Sequence, residues 1–139
     1  MEYKRFNNVI IARIDAGEEV LEQLKNIALT QDIKLASVQG LGATNDFTVG
    51  VYDVSNKEYH ANHFSGDYEI VSLTGTINTM NDEYYSHLHM SAGDNKGMVV
   101  GGHLNRAMIS ATCELVITIV DGVVERYKDD VTGLNLFKF

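Results

Sequence analysis

Apolar and polar residues alternate along much of the sequence beyond residue 58, and this alternation limits the chain to a sheet-rich fold. It is present in Tyr59–Phe64, in Tyr68–Ile77 and in the two arms that flank a turn at residues 93–97. Successive side chains of a strand point to opposite faces, so such alternation is typical of strands with one buried face. The pattern predicts strands joined largely by hairpins in this part of the chain.

A helix is predicted near the N-terminus. Asp15–Glu19 supplies acidic residues for a first helical turn, and apolar residues then recur at helical spacing from Val20 to about Thr30. Short apolar runs predict further strands at Val9–Ile14, Lys34–Gln39, Phe47–Tyr52, Cys113–Val120 and Val123–Tyr127. Asp121-Gly122 is a strong two-residue hairpin signal between the last two runs.

These elements predict an α+β fold with a mainly antiparallel sheet of about seven strands, flanked by one or more helices. A length of 139 residues is typical of one domain, so a single domain over residues 1–139 is expected. Gly40-Leu41-Gly42-Ala43-Thr44 is predicted to be a tight loop whose glycines adopt positive φ. A dinucleotide-binding loop is not favoured there, because the third glycine of that motif is missing and a strand follows.

Charge and composition restrict the partners that the chain can have. Its formal net charge is −8, and its 11 basic residues are scattered, whereas phosphate neutralisation needs clustered lysine and arginine. Direct nucleic-acid binding is therefore not expected. No apolar run approaches the roughly 20 residues of a membrane helix and no signal peptide is evident, so a cytoplasmic protein without membrane association is expected. Cys113, the lone cysteine, is expected to be a buried structural thiol.

Three of the five histidines flank the turn at residues 93–97. Alternation places His87 and His89 on one face of a strand. If the hairpin folds symmetrically about Lys96, His89 lies directly opposite His103, with Cβ atoms roughly 5 Å apart, and His87 lies diagonal to it. A bulge at Gly101-Gly102 would instead turn His103 to the other face. The facing arrangement matches the three-histidine sites with one open position that catalytic zinc uses.

The three histidines could also lie on a polar face of the sheet without binding a metal. A metal would need further groups to accept the second N–H of each imidazole, and Asp94, Glu83 and Asn105 are the nearest candidates in sequence. No residue is clearly placed as a general base. His60 and His63 are expected at the surface, on opposite faces of their strand, and Asp129-Asp130 is expected to serve a turn.

The same residues carry a resemblance to a known family. His87-Leu-His89-Met-Ser-Ala-Gly-Asp, with Gly101-Gly102-His103-Leu, resembles the central motif of the plant-and-prokaryote conserved (PPC) domain. The likeness is collinear over nearly the whole chain, and it includes Gly17-Glu18-Glu19, Val38-Gln39-Gly40-Leu41-Gly42-Ala43, Gly66-Asp67-Tyr68-Glu69-Ile70-Val71-Ser72-Leu73-Thr74-Gly75 and Thr132-Gly133-Leu134.

The resemblance implies an antiparallel sheet flanked by helices, assembled as a homotrimer. It also implies a divalent transition metal, usually zinc, at His87, His89 and His103, with a small-molecule ligand possible at the metal. Plant members carry AT-hook segments that contact DNA and use the segment matching Gly66–Val71 to engage transcription factors, but no AT-hook is present here.

The leading hypothesis is thus a trimeric, zinc-binding stand-alone PPC protein of undefined role. A DNA-associated or regulatory protein and a metal-dependent hydrolase of a small molecule are the alternatives, so whether the chain is an enzyme stays open.

Overall fold

The computed structural model describes residues 1–139 and contains eight strands and one helix. The strands are β1 (Glu2–Phe6), β2 (Val9–Asp15), β3 (Ala36–Asp53), β4 (Glu58–Met80), β5 (Glu83–Gly93), β6 (Val99–Ile119), β7 (Glu125–Lys128) and β8 (Asn135–Lys138). Helix α1 (Val20–Thr30) lies between β2 and β3, with Glu19 as its N-cap. All strands belong to one sheet, and every pairing is antiparallel except that of β4 with β7. The sheet-rich α+β prediction agrees with this architecture.

Strand β3 runs without interruption through the segment predicted as a tight loop, so that prediction is wrong. The glycines of Gly40–Thr44 do not have positive φ, and register shifts between Gly40 and Gly42 and between Thr44 and Asp46 bend the strand instead. A Cβ on Gly42 would lie 2.4 Å from the Thr112 carbonyl oxygen. The glycine is needed there because β3 and β6 approach closely, not because the chain turns.

The predicted hairpin at Asp121-Gly122 is also wrong. Residues 113–118 of β6 are paired with β2 on one edge and with β3 on the other, so neither edge is free to receive the returning chain. Strand β7 crosses instead to β4, where Glu125 pairs with Thr79, and then forms an antiparallel hairpin with β8.

Helix α1 covers one face of the sheet and defines the core. Val20, Leu24, Ile27 and Ala28 of the helix are buried in a cluster of 24 apolar residues. Cys113 belongs to this cluster, as predicted, and its burial raises the pKa of the thiol to about 12. No helix has the length and apolar character that crossing a membrane requires.

Candidate metal centre

The turn between β5 and β6 is held by its own polar groups. The Asp94 carboxylate accepts hydrogen bonds from the backbone N–H groups of Lys96 and Met98, and Gly97 has a φ of +76°. The strands that leave this turn pair in the predicted register, with His89 opposite His103 and no bulge at Gly101-Gly102. The hairpin is therefore symmetric about Lys96, as the sequence predicted.

Three imidazoles meet on the face of the hairpin that points away from the core. Leu88 and Met90, which alternate with the histidines, are buried. The Nε2 atoms of His87 and His89 are 3.2 Å apart, and one ring nitrogen from each of His87, His89 and His103 lies within 4.8 Å of the other two. The ring centroids are 5.1 to 5.7 Å apart.

This spacing fits a tetrahedral metal site. With zinc–nitrogen bonds of about 2.0–2.1 Å, tetrahedral geometry puts two ligand nitrogens about 3.3 Å apart. The His87–His89 separation of 3.2 Å already matches that value, and the other two separations are at most 4.8 Å. Three histidine ligands would leave the fourth position of the metal open.

The surroundings of the site favour neutral imidazoles. Burial lowers the pKa of His87 to about 4, with further lowering from His103, Arg126 and His89. Burial and the neighbouring His89 also lower the pKa of His103. No carboxylate is among the groups that shift either pKa. Since a metal binds the neutral form of histidine, these rings are in their ligating state at neutral pH.

The supporting groups differ from those that the sequence suggested. Asp94 is engaged in the turn, and Glu83 begins β5 without a hydrogen bond to the site. The Asn105 side chain accepts a hydrogen bond from Tyr59 Oη at 2.6 Å, and the Tyr59 ring stands edge-on to His103 at 6.1 Å. None of the three candidates therefore contacts a histidine ring.

Arg126 is a neighbour that sequence reasoning missed. It lies on β7, is only 7% exposed, and its guanidinium is hydrogen-bonded to Asn78 on β4. Its position beside the hairpin depends on the pairing of β7 with β4, which no local pattern indicates. Two further predictions agree with the structure: His60 and His63 are exposed, and Asp129 accepts hydrogen bonds from Thr132 within a turn.

Comparison with known proteins identifies the family. The family model of the Plants and Prokaryotes Conserved (PCC) domain matches residues 1–121, a segment that includes all three histidines of the site. The chain belongs to this family. No curated protein is significantly similar to it.

Solved structures of the family have the same fold. A presumed DNA-binding protein from Bacteroides thetaiotaomicron is 29% identical with a TM-score of 0.96, the match covering 99% of this chain and 96% of that one. A metal-containing protein from Archaeoglobus fulgidus is 28% identical with a TM-score of 0.88, over 99% and 97% of the chains. A PPC protein from Pyrococcus horikoshii is 28% identical with a TM-score of 0.86, over 99% and 94%.

Proposed function

We propose that this PPC-family protein binds a divalent transition metal, with zinc as the first candidate, through His87, His89 and His103. The observation that carries the proposal is the convergence of three ring nitrogens within 4.8 Å. The lowered pKa values of His87 and His103 support it, because protons would compete poorly with the metal. The related A. fulgidus protein is described as metal-containing, which adds support from outside this chain.

The open position of such a site is where chemistry or ligand binding would take place. Bound zinc would supply a Lewis acid that polarises a ligand oxygen or lowers the pKa of a water to about 7. The pairing of β5 with β6 places the three imidazoles on one face, and the Tyr59 ring stands edge-on to His103. No carboxylate is hydrogen-bonded to the rings of the three histidines, so no general base is evident and metal-dependent hydrolysis ranks behind plain ligand binding.

Elemental analysis of protein purified without an affinity tag tests the metal site. Wild type should contain about one zinc per chain after equilibration with zinc, and the His89→Ala variant should contain almost none. His63→Ala is the matched control, because His63 is an exposed histidine on the same sheet outside the cluster. Equal zinc in wild type and His89→Ala would refute the assignment.

We further propose that the protein is a homotrimer, as the family resemblance implies. Exposed apolar side chains on the face of the sheet opposite α1 support self-association: Ile11 is 45% exposed and its cross-strand partner Val116 is 40% exposed. Light scattering coupled to gel filtration should give three times the chain mass of 15.4 kDa. A monomeric mass would contradict the trimer without affecting the metal site. The single-domain organisation and the cytoplasmic location remain predictions.

A DNA-associated role is the second candidate, because the B. thetaiotaomicron neighbour is described as a presumed DNA-binding protein. The net charge of −8 opposes direct contact with DNA, so we rank this role lower and expect any such role to work through protein contacts. A duplex shift assay at about 150 mM salt decides the question, since non-specific binding weakens steeply with ionic strength. Retention of duplex at micromolar protein would restore the DNA-binding role.

A further inference from the structure

Arg126 is a buried cation without a carboxylate partner. Its guanidinium donates to the Asn78 side-chain oxygen from both Nε and Nη2 at 3.2 Å, and Nη1 donates to the Asn135 carbonyl at 2.7 Å. A weaker contact at 3.5 Å joins Nη2 to Thr76 Oγ1. All of these acceptors are neutral, and one of the two Nη1 hydrogens has no acceptor in the protein. A buried guanidinium is ordinarily paired with an anion, so this one is an exception that calls for a physical reason.

The guanidinium lies next to the histidine cluster. Thr76, which contacts Nη2, is the direct cross-strand partner of His87. Aromatic rings fix the plane of the guanidinium, with its central carbon 5.0 Å from the ring centroid of Tyr85 and 4.2 Å from that of Phe137. The cation is thus held rigidly beside the site.

The charge around the three histidines is opposite in sign to the net charge of the whole chain. The protein has 19 acidic residues and a net charge of −8, yet no acidic side chain is hydrogen-bonded to Arg126 or to the rings of the three histidines. A divalent ion on three neutral histidines would add two further positive charges. The filled site would therefore hold about three positive charges in a partly buried setting with no hydrogen-bonded carboxylate to balance them.

We propose that the ligand of this site is a small oxyanion, a carboxylate or phosphate group, that is bound at the open position of the metal and stabilised by Arg126. This inference rests on the proposed metal function. An oxyanion supplies the missing negative charge, and its oxygens can bind both the open position of zinc and the N–H donors of arginine. A neutral ligand would leave the charge of Arg126 uncompensated.

Calorimetric titration of the zinc-loaded protein with inorganic phosphate, and separately with acetate, tests the proposal and tells the two oxyanions apart. The Arg126→Gln variant should keep its zinc but bind the preferred oxyanion about tenfold to a hundredfold more weakly, the range expected for a lost hydrogen bond to a charged group. Arg106→Gln is the matched control. Arg106 is an exposed arginine on β6 that is paired with Asp46, so its replacement should leave oxyanion affinity unchanged.

A second measurement on wild type covers the possibility that Arg126→Gln fails to fold. In protein labelled with 15N-arginine, the guanidinium resonance of Arg126, assigned by its absence from Arg126→Lys, should move as phosphate or acetate is added. The resonances of Arg5, Arg13 and Arg106 should not move. Wild type that binds zinc but shows no movement, or variants with equal oxyanion affinity, would overturn the oxyanion site alone. Wild type that takes up no zinc would overturn the metal function and this inference together.

Discussion

Two histidine-containing clusters lie on the same sheet in opposite electrostatic surroundings. His63 pairs with Asp46 at 2.8 Å, Asp46 also accepts from Arg106 at 2.7 Å, and the His63 side chain is 62% exposed. His87 and His103 of the other cluster are partly buried, His89 is exposed, and no carboxylate is hydrogen-bonded to these three rings. The first cluster is an exposed group in which a carboxylate balances the positive charges. The second has no such carboxylate, so a cation bound there would need an anionic ligand to balance its charge.

The largest expected effect is the gain in the free energy of unfolding when zinc binds, which should depend on the cluster of His87, His89 and His103 and not on His63. A ligand present at about 1,000 times its dissociation constant stabilises the folded state by about 4 kcal/mol if the unfolded chain does not bind it. Denaturant unfolding with and without zinc should show this gain in wild type and in His63→Ala, and none in His103→Ala. A full gain in His103→Ala would mean that the metal binds elsewhere.

The next largest effect on stability is expected from a substitution at Gly102, where β6 approaches β3 closely beside His103. A Cβ on Gly102 would lie 2.5 Å from the Gly50 carbonyl oxygen, so Gly102→Ala must push β6 away from β3. Overpacking of this kind typically costs about 1–3 kcal/mol, and here it would also move His103 and weaken zinc binding. Gly93→Ala is the control, because its Cβ would meet only side-chain atoms at 3.7 and 3.8 Å. Equal stability and zinc affinity in the two variants would show that the approach is not required.

His87 and Asp46 should also affect the free energy of unfolding in different pH ranges. In the metal-free protein the pKa of His87 is about 4, below its ordinary value of about 6.5, so the unfolded chain takes up the proton first. Stability is therefore complete above about pH 6.5 and falls as the pH decreases towards 4. Asp46 has a pKa lowered by Arg106 and His63, so its contribution is lost only below about pH 4.

Urea unfolding of metal-free protein between pH 7 and pH 4 measures this difference. His87→Asn should flatten the decline in the free energy of unfolding, whereas Asp46→Asn should leave the decline in this range unchanged. A decline that is the same in wild type and His87→Asn would show that His87 does not carry the proton-linked loss.

The histidine hairpin could be predicted from sequence because every contact that defines it is local. Asp94 and Gly97 specify the turn, the turn fixes the register, and strand alternation then places His87, His89 and His103 on one face. The spacing argument already suggested a metal site, and the family resemblance strengthened that prediction and added the trimer, which no spacing argument supplies.

The sequence predictions that are wrong concern segments whose structure depends on how distant strands pair in the sheet. Gly40 and Gly42 looked like a turn, but in the structure they let β3 pass close to β6. Asp121-Gly122 has the composition of a hairpin, but both edges of β6 are already paired at that point. Arg126 reaches the site only because β7 crosses to β4, so its part in the site required the full topology.

The smallest effect on stability is expected at the exposed ion-pair group of His63, Asp46 and Arg106. Asp46→Asn removes the carboxylate that His63 and Arg106 share, but all three side chains are substantially exposed, so water and salt already weaken their attraction. Unfolding in low salt should show a slight loss of stability, and that loss should vanish in about 1 M salt, where the Debye length is about 3 Å. Zinc content should equal that of wild type. A loss of zinc in Asp46→Asn would mean that the two clusters are coupled through β3 and β6, and the electrostatic contrast between them would no longer be sufficient to explain which one binds metal.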